Sequence, residues 1–160
     1  MFSRTGFRSL AVVPALALIW ASVALAQAAD DGEPKIPPPQ ELELECRDGL
    51  TLAATYLPGT RGKDTVPFIL LHGYEGSRKE YAQLAKYLQG LGHAVLVPDL
   101  RGHGSSVTVK GATRDLKAST MQSTQFQRMI AVDMEKLNGF LLRKNNEGQL
   151  NIEKLCVVGA

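Results

Sequence analysis

From Glu41 the chain alternates strictly between polar and apolar residues, Glu41-Leu42-Glu43-Leu44-Glu45-Cys46, the period of a strand with one buried face. Asp48-Gly49 supplies residues that tolerate positive φ in a tight turn, and Leu50, Leu52, Ala54 and Tyr56 resume the period of two. The pattern predicts a β-hairpin. It changes at Pro67, where Phe68-Ile69-Leu70-Leu71 forms a continuous apolar run, as expected of a parallel-sheet strand with helices on both faces. Arg78 to Leu91 then carries Tyr81, Leu84, Leu88 and Leu91 at spacings of three and four, an amphipathic helix whose end is marked by Gly90 and Gly92. Ala94-Val95-Leu96-Val97 is a second apolar strand. Strand, helix and strand within about thirty residues predict a parallel, right-handed βαβ unit.

Beyond Gly104, the polar stretch from Ser105 to about Thr124 predicts a loop with at most a short helix. A second long helix is expected from about Gln125 to Lys144, with Phe126, Met129, Ile130, Leu137, Phe140 and Leu141 on one side. Asp133, an acidic residue within that amphipathic pattern, is expected to face solvent or pair with a nearby base. After Asn145-Asn146-Glu147-Gly148, Leu155-Cys156-Val157-Val158 reads as a further buried strand leading into Gly159-Ala160. Cys46 and Cys156 are expected to be small buried hydrophobes and not a disulfide.

The N-terminal stretch adds a different signal. Arg4 and Arg8 precede an uncharged apolar run from Leu10 to Ala26 that ends in Ala24-Leu25-Ala26, the arrangement of a secretory signal peptide. Residues 1–26 are therefore expected to be removed, with the mature chain starting at Gln27 and exported to a periplasmic or secreted location. If uncleaved, the same segment would be a membrane anchor, the one membrane contact the sequence suggests. Residues 27–40, acidic and then carrying Pro37, Pro38 and Pro39, read as an extended tether, and the domain is expected to span 41–160. Eighteen Lys and Arg stand against sixteen Asp and Glu, and the excess is Arg4 and Arg8. The balanced remainder lacks the basic stripe of a nucleic-acid binder. No cluster has metal-ligand spacing, so neither a metal nor an organic cofactor is expected.

Two loops carry candidate chemistry. His72-Gly73-Tyr74-Glu75-Gly76-Ser77 is a glycine-containing turn directly after a buried strand. It reads either as a tight βα connection or as a loop whose main-chain N–H is free to bind a developing negative charge. Pro98-Asp99-Leu100-Arg101-Gly102-His103-Gly104-Ser105 ends the next strand, at the edge where open α/β sheets build their sites. There Asp99 and Arg101 are expected to form an internal ion pair, with Gly102 and Gly104 meeting backbone demands. Ser77 and Ser105 lie near this region, whereas His93 begins a strand at the opposite end of the sheet.

An apolar strand into His-Gly, a helix, an apolar strand into Asp-Leu-Arg-Gly-His-Gly-Ser, a long helix, then Leu-Cys-Val-Val-Gly-Ala resembles the α/β-hydrolase superfamily. The esterase, lipase and serine-aminopeptidase-like members are the most similar, and the likeness runs from about Glu41 to Ala160. The fold class it implies is α/β, an incomplete α/β-hydrolase fold with an N-terminal β-hairpin followed by parallel βαβ units and interrupted at the nucleophile-elbow strand. By resemblance, Tyr74 would donate its backbone N–H to an oxyanion, His72 and Gly73 would shape the turn, and Asp99, Arg101, Gly102, His103 and Gly104 would support the site from beneath. The family's elbow is Gly-x-Ser-x-Gly, followed later by an acid and a histidine. Gly159-Ala160 matches its first two letters, so nucleophile, acid and catalytic histidine are expected beyond these residues. The expected function is that of the N-terminal part of an exported serine-type hydrolase acting on a small-molecule ester or similar acyl substrate, inactive by itself. Alternatives are a non-catalytic binding protein on the same scaffold, or a dehalogenase- or epoxide-hydrolase-like member with an acidic nucleophile.

Overall fold

The computed structural model describes residues 35–160; the expected signal segment and the acidic part of the tether lie outside them. The alternating stretch forms β1 (Gln40–Glu45), paired antiparallel with β2 (Thr51–Leu57) through the register Leu42↔Ala54 and Leu44↔Leu52. The hairpin closes where Gly49, at φ 84°, donates its N–H to the Cys46 carbonyl at 3.0 Å. Upstream, the Gln89 side chain donates to the carbonyls of Pro37 (2.9 Å) and Pro58 (3.0 Å), which pins the proline run to the domain.

The apolar runs become β3 (Pro67–Leu71) and β4 (Ala94–Pro98), which are parallel, with α1 (Ala82–Gly90) crossing between them. A single turn of tighter helix, Arg78–Tyr81, leads into α1, and the Glu80 carboxylate accepts the Ser77 N–H at its start. The last strand, β5 (Cys156–Gly159), pairs parallel with β3, giving the five-stranded order β1-β2-β4-β3-β5. Apolar residues cover both faces of the central strands. On one face Leu70, Val95 and Val97 pack with Ala85 of α1, and on the other Ile69, Ala94 and Leu96 pack with Leu137, Phe140 and Leu141. This is the two-sided burial that continuous apolar strands require. The stretch from Ser105 to Gln122 is a loop with one short turn, Ala118–Thr120, and is anchored to the hairpin by the pairing of Leu50 with Val109.

The long helix departs from expectation in its phase. It consists of α2 (Ser123–Arg128), a π-helical turn over Met129–Asp133, and α3 (Met134–Asn146). Leu137, Phe140 and Leu141 are buried as predicted, but Phe126 is exposed and Ile130 is 75% exposed. The widened π turn shifts the phase of the helix, so residues on either side of it no longer share the stripe that regular α spacing implies. Val132 and Asp133 turn inward instead.

Cys156 is exposed and not buried, and both cysteines are free. The reason is that β5 has a partner on one side alone among the described residues, with Val157 53% exposed. An apolar edge of this kind is a template for pairing with another chain. We expect Val157→Lys to reduce self-association of the purified chain, measured by light scattering at equal protein concentration; unchanged scattering would show that the edge is not the adhesive surface.

Candidate functional site

Three parallel strands, β4, β3 and β5, bring their carboxyl ends to one rim, where the two sequence motifs lie. Leu71 is in register with Gly159, the Ala160 N–H donates to the Leu71 carbonyl at 3.2 Å, and a Cβ on Gly73 would stand 3.8 Å from that of Ala160. The His72–Ser77 loop and the residues after β5 are therefore neighbours. Gly73 to Gly76 forms a turn closed by the Gly76 N–H on the Gly73 carbonyl at 3.1 Å, with Glu75 at φ 61°. Positive φ at the third position alone makes this a type II turn. A glutamate in the left-handed region costs of order 1 kcal/mol, a local strain that the surrounding contacts must hold.

His72 determines how this turn is oriented. Its Nε2 accepts the Leu100 N–H at 2.9 Å, so the neutral ring carries its proton on Nδ1, which donates to the Gly73 carbonyl at 2.8 Å. That carbonyl belongs to the same peptide group as the Tyr74 N–H. In a trans peptide the two point in opposite directions, so drawing the oxygen toward His72 aims the N–H away from it. Among the described residues no acceptor takes the Tyr74 N–H, and Tyr74 is 63% exposed. A free main-chain donor at the carboxyl ends of parallel strands is able to bind negative charge developing on a substrate oxygen.

The second motif lies directly beneath. The Asp99 carboxylate accepts the Arg78 N–H (2.8 Å) on one oxygen and the Ser105 N–H (2.9 Å) on the other, and the Arg78 guanidinium approaches to 3.3 Å. Ser106, completely buried, donates its hydroxyl to the Asp99 carbonyl and accepts the Ala53 N–H, tying the loop to β2. The expected Asp99–Arg101 ion pair does not form. Arg101 is 1% exposed and turns away from Asp99, donating Nε and Nη2 to the two oxygens of Asp133 and Nη1 to Asp48 at 2.8 Å. Asp133 is correspondingly buried, because its partner is an interior arginine and not a surface base.

This cluster perturbs its members in different directions. Burial pushes the Asp133 carboxyl up, against the opposing pull of Arg101. Burial acts upward on Asp48 too, but there the hydrogen bond and charge of Arg101 win and hold it below the usual carboxylate range. Arg128, 3.6 Å from Asp48, adds a second positive charge at this end. The neighbouring Cys46 thiol is raised to about 12, by burial first and then by the charges of Asp133 and Asp48, so it remains a neutral thiol and not a nucleophile.

His103 packs edge-on to His72 (ring centroids 5.1 Å) and to Tyr74 (5.9 Å), with Nδ1 against the Arg101 carbonyl at 2.9 Å. Gly102, at φ 76°, donates its N–H to the Ser106 carbonyl. His93 lies at the far end of the sheet against Phe68. The residues that sequence reading passed over are Arg78, Ser106 and Asp48. Arg78 and Ser106 immediately follow the motif serines, the one available signal, while Asp48 had been read as a turn residue alone.

A family model described as the alpha/beta hydrolase fold matches residues 66–152, more than half of the chain. The chain belongs to the α/β-hydrolase family. An uncharacterised protein of Mycobacterium tuberculosis, in two strains, is 35% identical over 71 residues, which are 44% of this chain and 25% of that protein. The chain thus spans about a quarter of the length of the curated relatives it matches. Among solved structures, an α/β hydrolase of Penicillium sp. sh18 superposes with a TM-score of 0.57 at 22% identity, over 77% of this chain and 37% of that one. An esterase of Pyrococcus furiosus gives a TM-score of 0.51 at 24% identity, over 76% and 42%. At these identities the likeness concerns the fold alone.

Gly104 tests how tightly the supporting loop is built. It sits at φ 51°, and a Cβ there would lie 2.3 Å from the Asp99 carboxyl carbon. We expect Gly104→Ala to destabilise the chain by about 2–4 kcal/mol in urea unfolding, from the combined backbone strain and overlap; a loss below about 0.5 kcal/mol, the range of an inert surface change, would contradict this tight packing.

Proposed function

We propose that the chain supplies the oxyanion-binding part of an exported serine-type hydrolase acting on small-molecule esters or similar acyl bonds. The observation that carries this reading is the Tyr74 N–H, without an acceptor among the described residues, beside the end of β5 on a rim of parallel strands. A tetrahedral acyl intermediate places negative charge on the former carbonyl oxygen, and a donor fixed before the reaction stabilises that charge without reorganising. In this reading Gly159-Ala160 opens the elbow, the nucleophilic serine follows them in the full protein, and acid and histidine come later, so residues 1–160 alone do not turn over substrate. In keeping with this division, the chain covers 25% of the length of the curated relatives it matches and 37% of the Penicillium hydrolase.

Export belongs to the same proposal, on the strength of Arg4, Arg8 and the apolar run ending at Ala26. The protein recovered outside the cytoplasm is expected to begin at Gln27 by intact mass; a chain that still begins at Met1 would argue for an anchor or for no export.

Tyr74 occupies the second position of a type II turn, where proline is well accommodated. Tyr74→Pro in the full-length protein therefore keeps the turn and deletes the donor, whereas Tyr74→Ala keeps the N–H. We expect the proline variant to lose about 10²–10³-fold in kcat on an activated ester and the alanine variant to stay close to the parent. A fluorophosphonate probe should label the residue after Ala160. An aspartate at that position would redirect the assignment to dehalogenase- or epoxide-hydrolase-like chemistry, and a residue without nucleophilic character to a binding protein.

A further inference from the structure

The turn that carries the Tyr74 N–H is connected to a buried ionic cluster at the π turn of the long helix. Arg101 is anchored at both ends of its guanidinium: Asp133 receives Nε and Nη2, while Asp48 and Gln125 face Nη1 at 2.8 and 3.4 Å. Asp48 comes from the hairpin turn and Asp133 from the π turn, so two distant elements hold one side chain. The arginine cannot shift without moving its loop, because the loop is itself tightly closed. The His103 N–H bonds the Leu100 carbonyl at 2.9 Å, the His103 ring bonds the Arg101 carbonyl, and the Gly102 carbonyl accepts the Ala118 N–H at 3.0 Å. The residue immediately before Arg101 is Leu100, whose N–H is the donor that leaves His72 protonated on Nδ1.

The π turn is informative here. It brings two residues into the interior: Val132 joins the core of Leu137, Phe140 and Leu141, and Asp133 meets Arg101.

We propose that Asp48 and Asp133 are positioning residues for the Tyr74 main-chain donor, acting through Arg101, the Leu100 N–H and His72 on the Gly73–Tyr74 peptide. The mechanism is geometric. With either carboxylate removed, the guanidinium loses an anchor and the Arg101 loop loosens. The Leu100 N–H then no longer holds the lone pair of His72 Nε2 in place, and the imidazole exchanges between its two neutral tautomers. Whenever Nδ1 lacks its proton, the Gly73 carbonyl keeps the Gly76 N–H but loses its shorter bond, and the peptide bearing the Tyr74 N–H is held less firmly. Arginine is required at the centre because its planar fork serves two carboxylates at once, which an ammonium cannot do in the same geometry. The catalytic meaning rests on the function proposed above; the geometry does not.

The test is nuclear magnetic resonance on the full chain, comparing the parent with Asp48→Asn and Asp133→Asn. Long-range proton–nitrogen correlations report the His72 tautomer, and amide exchange is followed at Leu100 and, as a core reference, at Leu141. We expect one Nδ1–H tautomer in the parent, a mixture in both variants, and Leu100 exchange accelerated about tenfold with Leu141 unchanged in Asp48→Asn. A purely structural bridge would lower protection throughout the domain and leave the ring of the folded molecules as it was. Should Asp133→Asn fail to fold, Asp48→Asn decides alone, because its carboxylate lies nearer the surface. A folded variant that retains the parent tautomer and Leu100 protection overturns the proposal. If the ring responds as expected while the full-length protein hydrolyses no ester, the proposed function fails and the positioning network stands.

Discussion

A single imidazole bridges two loops at the rim of the sheet, and the arrangement of the rim follows from its two hydrogen bonds. Because His72 accepts from Leu100 on one nitrogen, it must donate from the other, and the carbonyl it reaches belongs to the peptide of the Tyr74 N–H. The chemistry of a neutral ring, one donor and one acceptor, thereby becomes a statement about which way a main-chain donor points. The packing is consistent with this. His103 lies edge-on to both the His72 and Tyr74 rings, and the Asp99 carboxylate holds the backbone on either side of the pair of loops.

Beneath this bridge the chain spends free energy on a buried ionic cluster. Burying an arginine with carboxylates rarely adds net stability over an apolar replacement, but removing the fully buried partner, Asp133, costs about 3–5 kcal/mol. The cluster is therefore better explained by the geometry it enforces than by the stability it adds. It joins the hairpin turn, the loop after β4 and the π turn, three places far apart in sequence, at one guanidinium.

The other side of the site is open. β5 is paired along β3 alone among the described residues, and its apolar side chains lie at the surface, unlike those of β4, which are buried throughout. The two strands have similar composition, so the difference is one of neighbours. β4 has a strand on each side and helices on both faces, whereas β5 has a strand on one side among the described residues.

The sequence by itself determined the elements and their order. Alternation at Glu41–Cys46, the continuous run at Phe68–Leu71 and the spacing of Tyr81 and Leu88 are local properties, set by the repeat of strand or helix, although Leu84 and Leu91, expected on the same face, are exposed and Ala85 and Gln89 are buried instead. The two rim motifs were legible for the same reason, since glycines at a strand end mark a turn wherever the strand happens to pack. The partners of the charged residues were not legible. Asp99 and Arg101 are near in sequence and look like a pair, yet they point to different neighbours, and Arg101 finds Asp133 and Asp48 because the tertiary fold brings distant segments within hydrogen-bond reach. The phase of the long helix and the exposure of Cys156 were hidden for a related reason. A π turn gives little sign in the residue pattern, and burial depends on which surfaces meet, a property of the assembled layers and not of any one segment.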